Sequence, residues 1–406
     1  MHFKNHFWLK FSLFNLFLVS ILGLLMRYKI GFEFPYLQQK HLQESHSHFA
    51  FVGWISHTIM VLMVAYLSKR VSFFLIKKYN VILSVNLLCA YAMLFSFIVE
   101  GYGIVSIIFS SLTILISFAF GYFFYNDSKA INNINISKKW FNAALFFNII
   151  SSFGTLALAY MMATKNIYQN EYLASIYYYL HFQYNGWFFF ACMGFLYDFF
   201  NLKATDSKVY NSTFRLFFVA CIPAYFLSIL WIKLPTWLYV FTLVSAVVQV
   251  FAWYKFLLIL KSKKEFLKQY PFFLRYILLF VAFALSVKLV LQLGSTIPYV
   301  SQLAFGFRPI VIAYLHLVLL AIITLFLLFY IFVNNYIVYN RYIKIGIVVF
   351  SIGVLLNEVI LAAQGIGSFS YTVIPYANEL LFCVSLLMVL GIAITVFYSL
   401  KKVKIS

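Results

Sequence analysis

Residues 46–54 read "HSHFAFVGW" and residues 181–187 read "HFQYNGW". His48 and His181 each open the pattern His-Phe, three variable residues, Gly-Trp, at the head of a long apolar run. A third histidine, His316 in "HLVLLAI", loses the Gly-Trp and keeps the apolar run. His48 and His181 are 133 residues apart, and His181 and His316 are 135 apart. Intervals so even along 406 residues are the mark of an internal repeat.

Composition gives the class. The chain is 64% hydrophobic and 10% charged, with a mean hydropathy of +0.93. Apolar runs of membrane-crossing length recur from end to end. The polar stretches near 126–140, 201–213 and 261–270 are too short to fold by themselves. The reading is an all-α integral membrane protein, one polytopic domain over 1–406 with twelve transmembrane helices. Their expected spans are 8–27, 46–68, 79–99, 103–125, 140–163, 174–199, 214–232, 236–257, 272–293, 309–333, 343–364 and 377–399. The three histidines fall on helices 2, 6 and 10, so each interval covers four helices. Three pseudo-repeated four-helix units follow, at approximately 8–125, 140–257 and 272–399. A secondary transporter is more often built from two related halves.

The 30 Lys and Arg against 10 Asp and Glu give a net charge of +20. With the N-terminus inside, 23 of the 30 basic residues, Lys402 and Lys404 among them, fall on inner segments and 7 elsewhere. The bias predicts a multi-pass cell (inner) membrane protein with both termini cytoplasmic. It matches anionic lipid and calls for no nucleic-acid partner. Cys89, Cys192, Cys221 and Cys383 all lie in expected spans and read as packing residues. The absence of CxxC and CxxCH argues against a zinc knuckle and covalent haem attachment. The first run lacks a small-residue cleavage pattern and reads as a retained helix rather than a signal peptide.

Ionisable side chains inside a bilayer are costly and by default functional. His2 and His6 are terminal and His41 lies in an outer loop, which leaves His46, His48, His57, His181 and His316. His48 lies 4 residues past Glu44, His316 8 past Arg308 and His181 10 past Glu171. At about 1.5 Å per residue all three sit in the outer half of the membrane. Neutral imidazole ligates haem iron, copper and zinc. With no Cys or carboxylate cluster nearby, haem is the leading candidate. His46 and His48 are about 200° apart around a helix and cannot both face one iron. The repeat selects His48 and leaves His46 as the alternative.

In this layout the chain resembles the catalytic subunit I of the haem-copper oxidases, especially the nitric oxide reductase branch. That family has twelve helices in three four-helix arcs, with histidines on helices 2, 6, 7 and 10. In "LLMRYKIGFEFPYLQQKHLQESHSHFAF", Arg27 and His48 resemble the family's low-spin haem entry. "HFQYNGWFFFACMGFLY" is similar to helix 6, where His181 matches the ligand of the non-haem metal. Asn185, with Tyr184 before it, stands where the family carries Tyr or Glu. In "AYLHLVLLAIITLF", His316 matches the second low-spin ligand, and Tyr314 replaces the histidine of the high-spin haem. Tyrosinate is itself a possible haem ligand. Departures follow: "YFLSILWIKLP" has Leu227 and Ser228 in place of the helix-7 histidine pair, and "GSFSYTVIPYAN" lacks the arginine pair that anchors propionates.

The resemblance implies a low-spin haem b held by His48 and His316, without copper, in electron transfer or O2- and NO-related redox chemistry. It also implies a quinol, cytochrome or other respiratory subunit as partner, besides the lipid bilayer. It is oxidoreductase-like, with the high-spin haem and copper ligands missing. The alternatives are an NnrS-like haem protein of the nitric oxide response, a proton-coupled secondary transporter, and a scaffold for a respiratory complex. Glu358 in "LLNEVILAA" and Lys288 in "LSVKLVL" are intramembrane charges expected in the outer half, to pair with each other, with a propionate or along a proton path. His57 shares the face of His46 and reads as hydrogen-bonded structure or a proton relay.

Overall fold

The computed structural model describes residues 4–131, 136–203 and 208–401; His2, Lys402 and Lys404 of the sequence reading lie outside them. Among the described residues, ten helices are long and apolar enough to cross a membrane: Asn5–Gly31, Gln39–Ser68, Ile76–Glu100, Ile104–Ser128, Ile136–Thr164, Thr236–Ser262, Phe272–Gly294, Arg308–Val333, Arg341–Ser368 and Ala377–Leu400. Lys208–Cys221 and Pro223–Ile229, bent by 46°, make an eleventh if they count as one span. The protein is a helical, multi-pass membrane protein in contact with lipid. Residues 169–199, an expected span, are also helical, but their tyrosines and the amides Gln183 and Asn185 lower their hydropathy.

Several boundaries differ from expectation, two of them informatively. The second helix begins at Gln39 rather than 46, because the polar stretch "QKHLQES" satisfies its backbone as a helix without being apolar. The expected span 214–232 is broken at Ile222. Pro223 has no N–H to give and its ring crowds the preceding turn, so the chain continues as a 3-10 helix over Pro223–Ile229.

Three helices widen into π-helical segments: Ala50–Ser56, Phe182–Phe188 and Leu317–Thr324. Each begins within two residues of one histidine, His48, His181 or His316. Such segments are rare and often accompany functional sites.

The chain divides into two compact units, Met1–Ala130 with Thr324–Ser406, and Ile131–Ile323. In the first, Ala377–Leu400 packs along Asn5–Gly31 and Arg341–Phe369. A Cβ on Gly391 would lie 2.6 Å from the Phe350 nitrogen, so two backbones touch where only glycine fits. Lys78 and Tyr79 on Phe73–Glu100 grip Asp127 of Ile104–Ser128, with Nζ 2.9 and 2.8 Å from its two oxygens and the tyrosine hydroxyl donating at 2.7 Å. In the second unit, Ile136–Thr164 packs against helix 169–199, and Thr236–Ser262 against Lys208–Cys221 and Phe272–Gly294. The motif glycine Gly186 faces Phe147; a Cβ there would lie 2.5 Å from the Cβ of Phe147.

Candidate functional site

In the second unit a hydrogen-bonded chain starts from the break at Pro223. The main-chain donor that would close a helical turn on the Cys221 carbonyl is the Tyr225 N–H, which bonds Ile222 instead. His181 takes that carbonyl: its Nε2–H donates to Cys221 O at 2.9 Å. A carbonyl cannot donate, so Nε2 carries the proton and Nδ1 is the acceptor. Asn185 Nδ2, one turn on, donates to Nδ1 at 3.1 Å. That orients the amide so that Asn185 Oδ1 accepts from Lys288 Nζ at 2.7 Å. The direction of every bond is fixed by the one before it. His181 is fully buried and Lys288 is 5% exposed.

Beside it, the rings of Tyr184 and Tyr314 meet edge-on at 6.2 Å. Leu227 lies in an apolar cluster with Ala224 and Ala246. Phe182 stacks on Phe147, and Gln183 donates to Asn148 Oδ1 at 3.0 Å and Ser151 Oγ at 2.7 Å, tying the π segment to helix 136–164. His316 donates Nδ1–H to the Ile312 carbonyl at 2.8 Å, one turn back on its own helix.

The first unit holds the other histidines. His46 donates Nδ1–H to the Val19 carbonyl on Asn5–Gly31 at 3.1 Å. His48 faces the Phe73–Glu100 side: its ring stacks on Phe97 at 4.4 Å, and Nε2 meets the Tyr102 hydroxyl at 2.8 Å. The two histidines therefore face different helices, as their angular separation requires. His57 is fully buried, with Nδ1 3.2 Å from Asn86 Nδ2 and its ring edge-on to Trp8. Glu358 is half-buried and bonded to its neighbour Asn357 at 3.2 Å. Trp54, the motif tryptophan, donates to Thr324 Oγ1 at 2.9 Å.

The chain matches no family model and no curated protein.

The histidine positions thus have different chemistry. In His46 and His316 a backbone carbonyl holds Nδ1–H, which places the lone pair on Nε2. A carbonyl on the far nitrogen is what orients a metal-ligating imidazole. His181 has both ring nitrogens in the polar chain. Among the described residues, no three His, Cys, Asp or Glu side chains converge as a metal site.

Sequence reasoning missed the amides. Asn15 donates to the Gly53 carbonyl inside the first π segment at 2.5 Å and accepts from Tyr91 at 2.7 Å. Asn148 holds the second π segment through Gln183. Asn15 and Asn148 are 133 residues apart, the interval between His48 and His181. That coincidence was available as a signal. Asn86, Gln249 and the Lys78–Asp127 pair carry no local pattern that would mark them.

Proposed function

We propose that the protein is a histidine-ligated membrane haem b protein built from three four-helix units across twelve membrane spans, akin to a degenerate haem-copper oxidase subunit I. Its termini are cytoplasmic and its membrane is the cell membrane, from the positive-inside bias. The observation that carries the reading is the recurrence of one local structure: histidine at the head of a π segment, three times at the repeat interval. The paired asparagines, Asn15 and Asn148, support the same register.

The donor set bears on the fit of the group. His48 and His316, the pair implied by the resemblance, would hold the iron through neutral imidazole, with His46 the alternative to His48. Each of the three has a hydrogen bond on one ring nitrogen, His48 to Tyr102, His316 to the Ile312 carbonyl and His46 to the Val19 carbonyl. Haem b, when bound, supplies a one-electron iron couple suited to electron transfer with a quinol, cytochrome or other respiratory partner.

The residues at the family's second metal centre do other work. His181 orders Asn185 and Lys288, Leu227 packs among alanines, and Tyr314 sets its ring edge-on to Tyr184. This hydrogen bonding and packing support a reading without an oxygen- or NO-reducing centre at these positions. A proton-coupled transporter is the second reading, favoured by the buried Lys288.

The visible spectrum of the purified protein, expressed with haem precursors supplied, tests the reading. A sharp reduced Soret and α band is expected, lost in His48→Ala and in His316→Ala and retained in His46→Ala. A colourless, well-folded preparation refutes haem binding. Loss of the bands with His46→Ala and not with His48→Ala moves the ligation to the alternative.

A further inference from the structure

No carboxylate within its unit pairs with the Lys288 amine. Among the described residues its single hydrogen bond goes to the neutral amide oxygen of Asn185, and no ion pair includes it. The other titratable groups facing it are the His181 imidazole and the Cys221 thiol. The imidazole is held neutral by its two hydrogen bonds, and the thiol donates to the Asn185 carbonyl at 3.6 Å. Neither supplies a negative charge.

A small cavity adjoins the amine. Asn185, Gln249 and Lys288 line it, each at least nine-tenths buried, and Phe189, Phe190 and Phe217 form much of the rest. It has room for one small inorganic occupant. Gln249 makes no hydrogen bond among the described residues, so its amide is available to the cavity. An ammonium has three donors, and one is used.

We propose that this cavity is a binding site for a small monovalent inorganic anion of halide size. Lys288 supplies the charge and a donor, and the Gln249 amide supplies a second donor. The positive rims of phenylalanine rings suit an anion wherever their edges face it. A cation is repelled by Lys288, and the cavity is too small for an organic carboxylate. The His181–Asn185 chain holds Lys288 in place by directing Asn185 Oδ1 at its amine. The site is independent of haem binding, since it uses none of His46, His48 and His316.

The test uses the full-length protein in detergent, with thermal unfolding followed in sodium gluconate and in sodium chloride at equal ionic strength. Gluconate is too large for the cavity. Chloride should raise the unfolding midpoint in a saturable manner, as expected of a ligand bound by the native state alone. Lys288→Met should abolish the response. Gln249→Leu, which keeps the charge, should weaken apparent chloride affinity by about tenfold, the loss of one charge-assisted hydrogen bond. If Lys288→Met fails to fold, the Gln249→Leu shift decides the matter. Equal wild-type midpoints in the two salts overturn the proposal, as does a full chloride response in Lys288→Met or an unshifted one in Gln249→Leu.

Discussion

Replacing His181 with phenylalanine tests whether this residue is the keystone of the second unit. Phenylalanine keeps an aromatic ring at a fully buried position but removes both hydrogen bonds. The Cys221 carbonyl then has no main-chain substitute, because the Tyr225 N–H that would close a helical turn on it is bonded to Ile222. An orphaned buried polar group costs about 1–3 kcal/mol. Side-chain hydrogen bonds in membrane proteins average about 0.6 kcal/mol and reach about 1.7. One orphaned carbonyl and one weakened amide therefore sum to about 2–4 kcal/mol. The midpoint should fall on the order of 5–10 °C. Cys89, Cys192 and Cys221 are buried, so a thiol-reactive dye reads unfolding without added labels. Asn185→Leu should cost a similar amount. Because both residues serve one chain, the double variant should cost about 1 kcal/mol less than the sum. If a metal held His181 instead, a chelator added to the wild type would reproduce the loss. An unchanged midpoint in His181→Phe, or full additivity with Asn185→Leu, refutes the keystone account.

Three further outcomes follow from other contacts. Asn15→Leu and Asn148→Leu should each cost about 1–2 kcal/mol by the same dye assay, since each removes two hydrogen-bonded contacts or the acceptor of one beside a π segment; a change below about 0.5 kcal/mol in both would disconnect them from the repeat. Asp127→Asn should cost about 2 kcal/mol, less than a fully buried pair because Lys78 is 33% exposed, and adding Lys78→Met should recover part of the loss. The reduced protein should not consume oxygen or nitric oxide catalytically in an electrode assay; steady turnover abolished by Tyr314→Phe would place a working second centre on Tyr314.

The histidine interval was readable because a repeat constrains which residues can occupy equivalent places, and His-Phe followed by Gly-Trp survives as text. Gly186 illustrates why: its missing side chain admits Phe147, so any other residue there is excluded by contact. Membrane character was equally plain, since water tolerates few apolar runs of that length and a bilayer requires them. The π segments left no trace in hydropathy, because a wider turn changes which carbonyl is bonded and not how apolar the residue is. Pro223 was visible as a letter, but its consequence depends on a partner 42 residues earlier that captures the Cys221 carbonyl. Lys288 shows the same limit most sharply. In the sequence it is one charge in an apolar run, with Glu358 the obvious acid elsewhere in the chain. In the fold its neighbour is Asn185, an uncharged amide whose direction is set by His181. A residue type announces that a buried group needs a partner; only the packed helices decide whether that partner brings a charge, and here the bonded one does not.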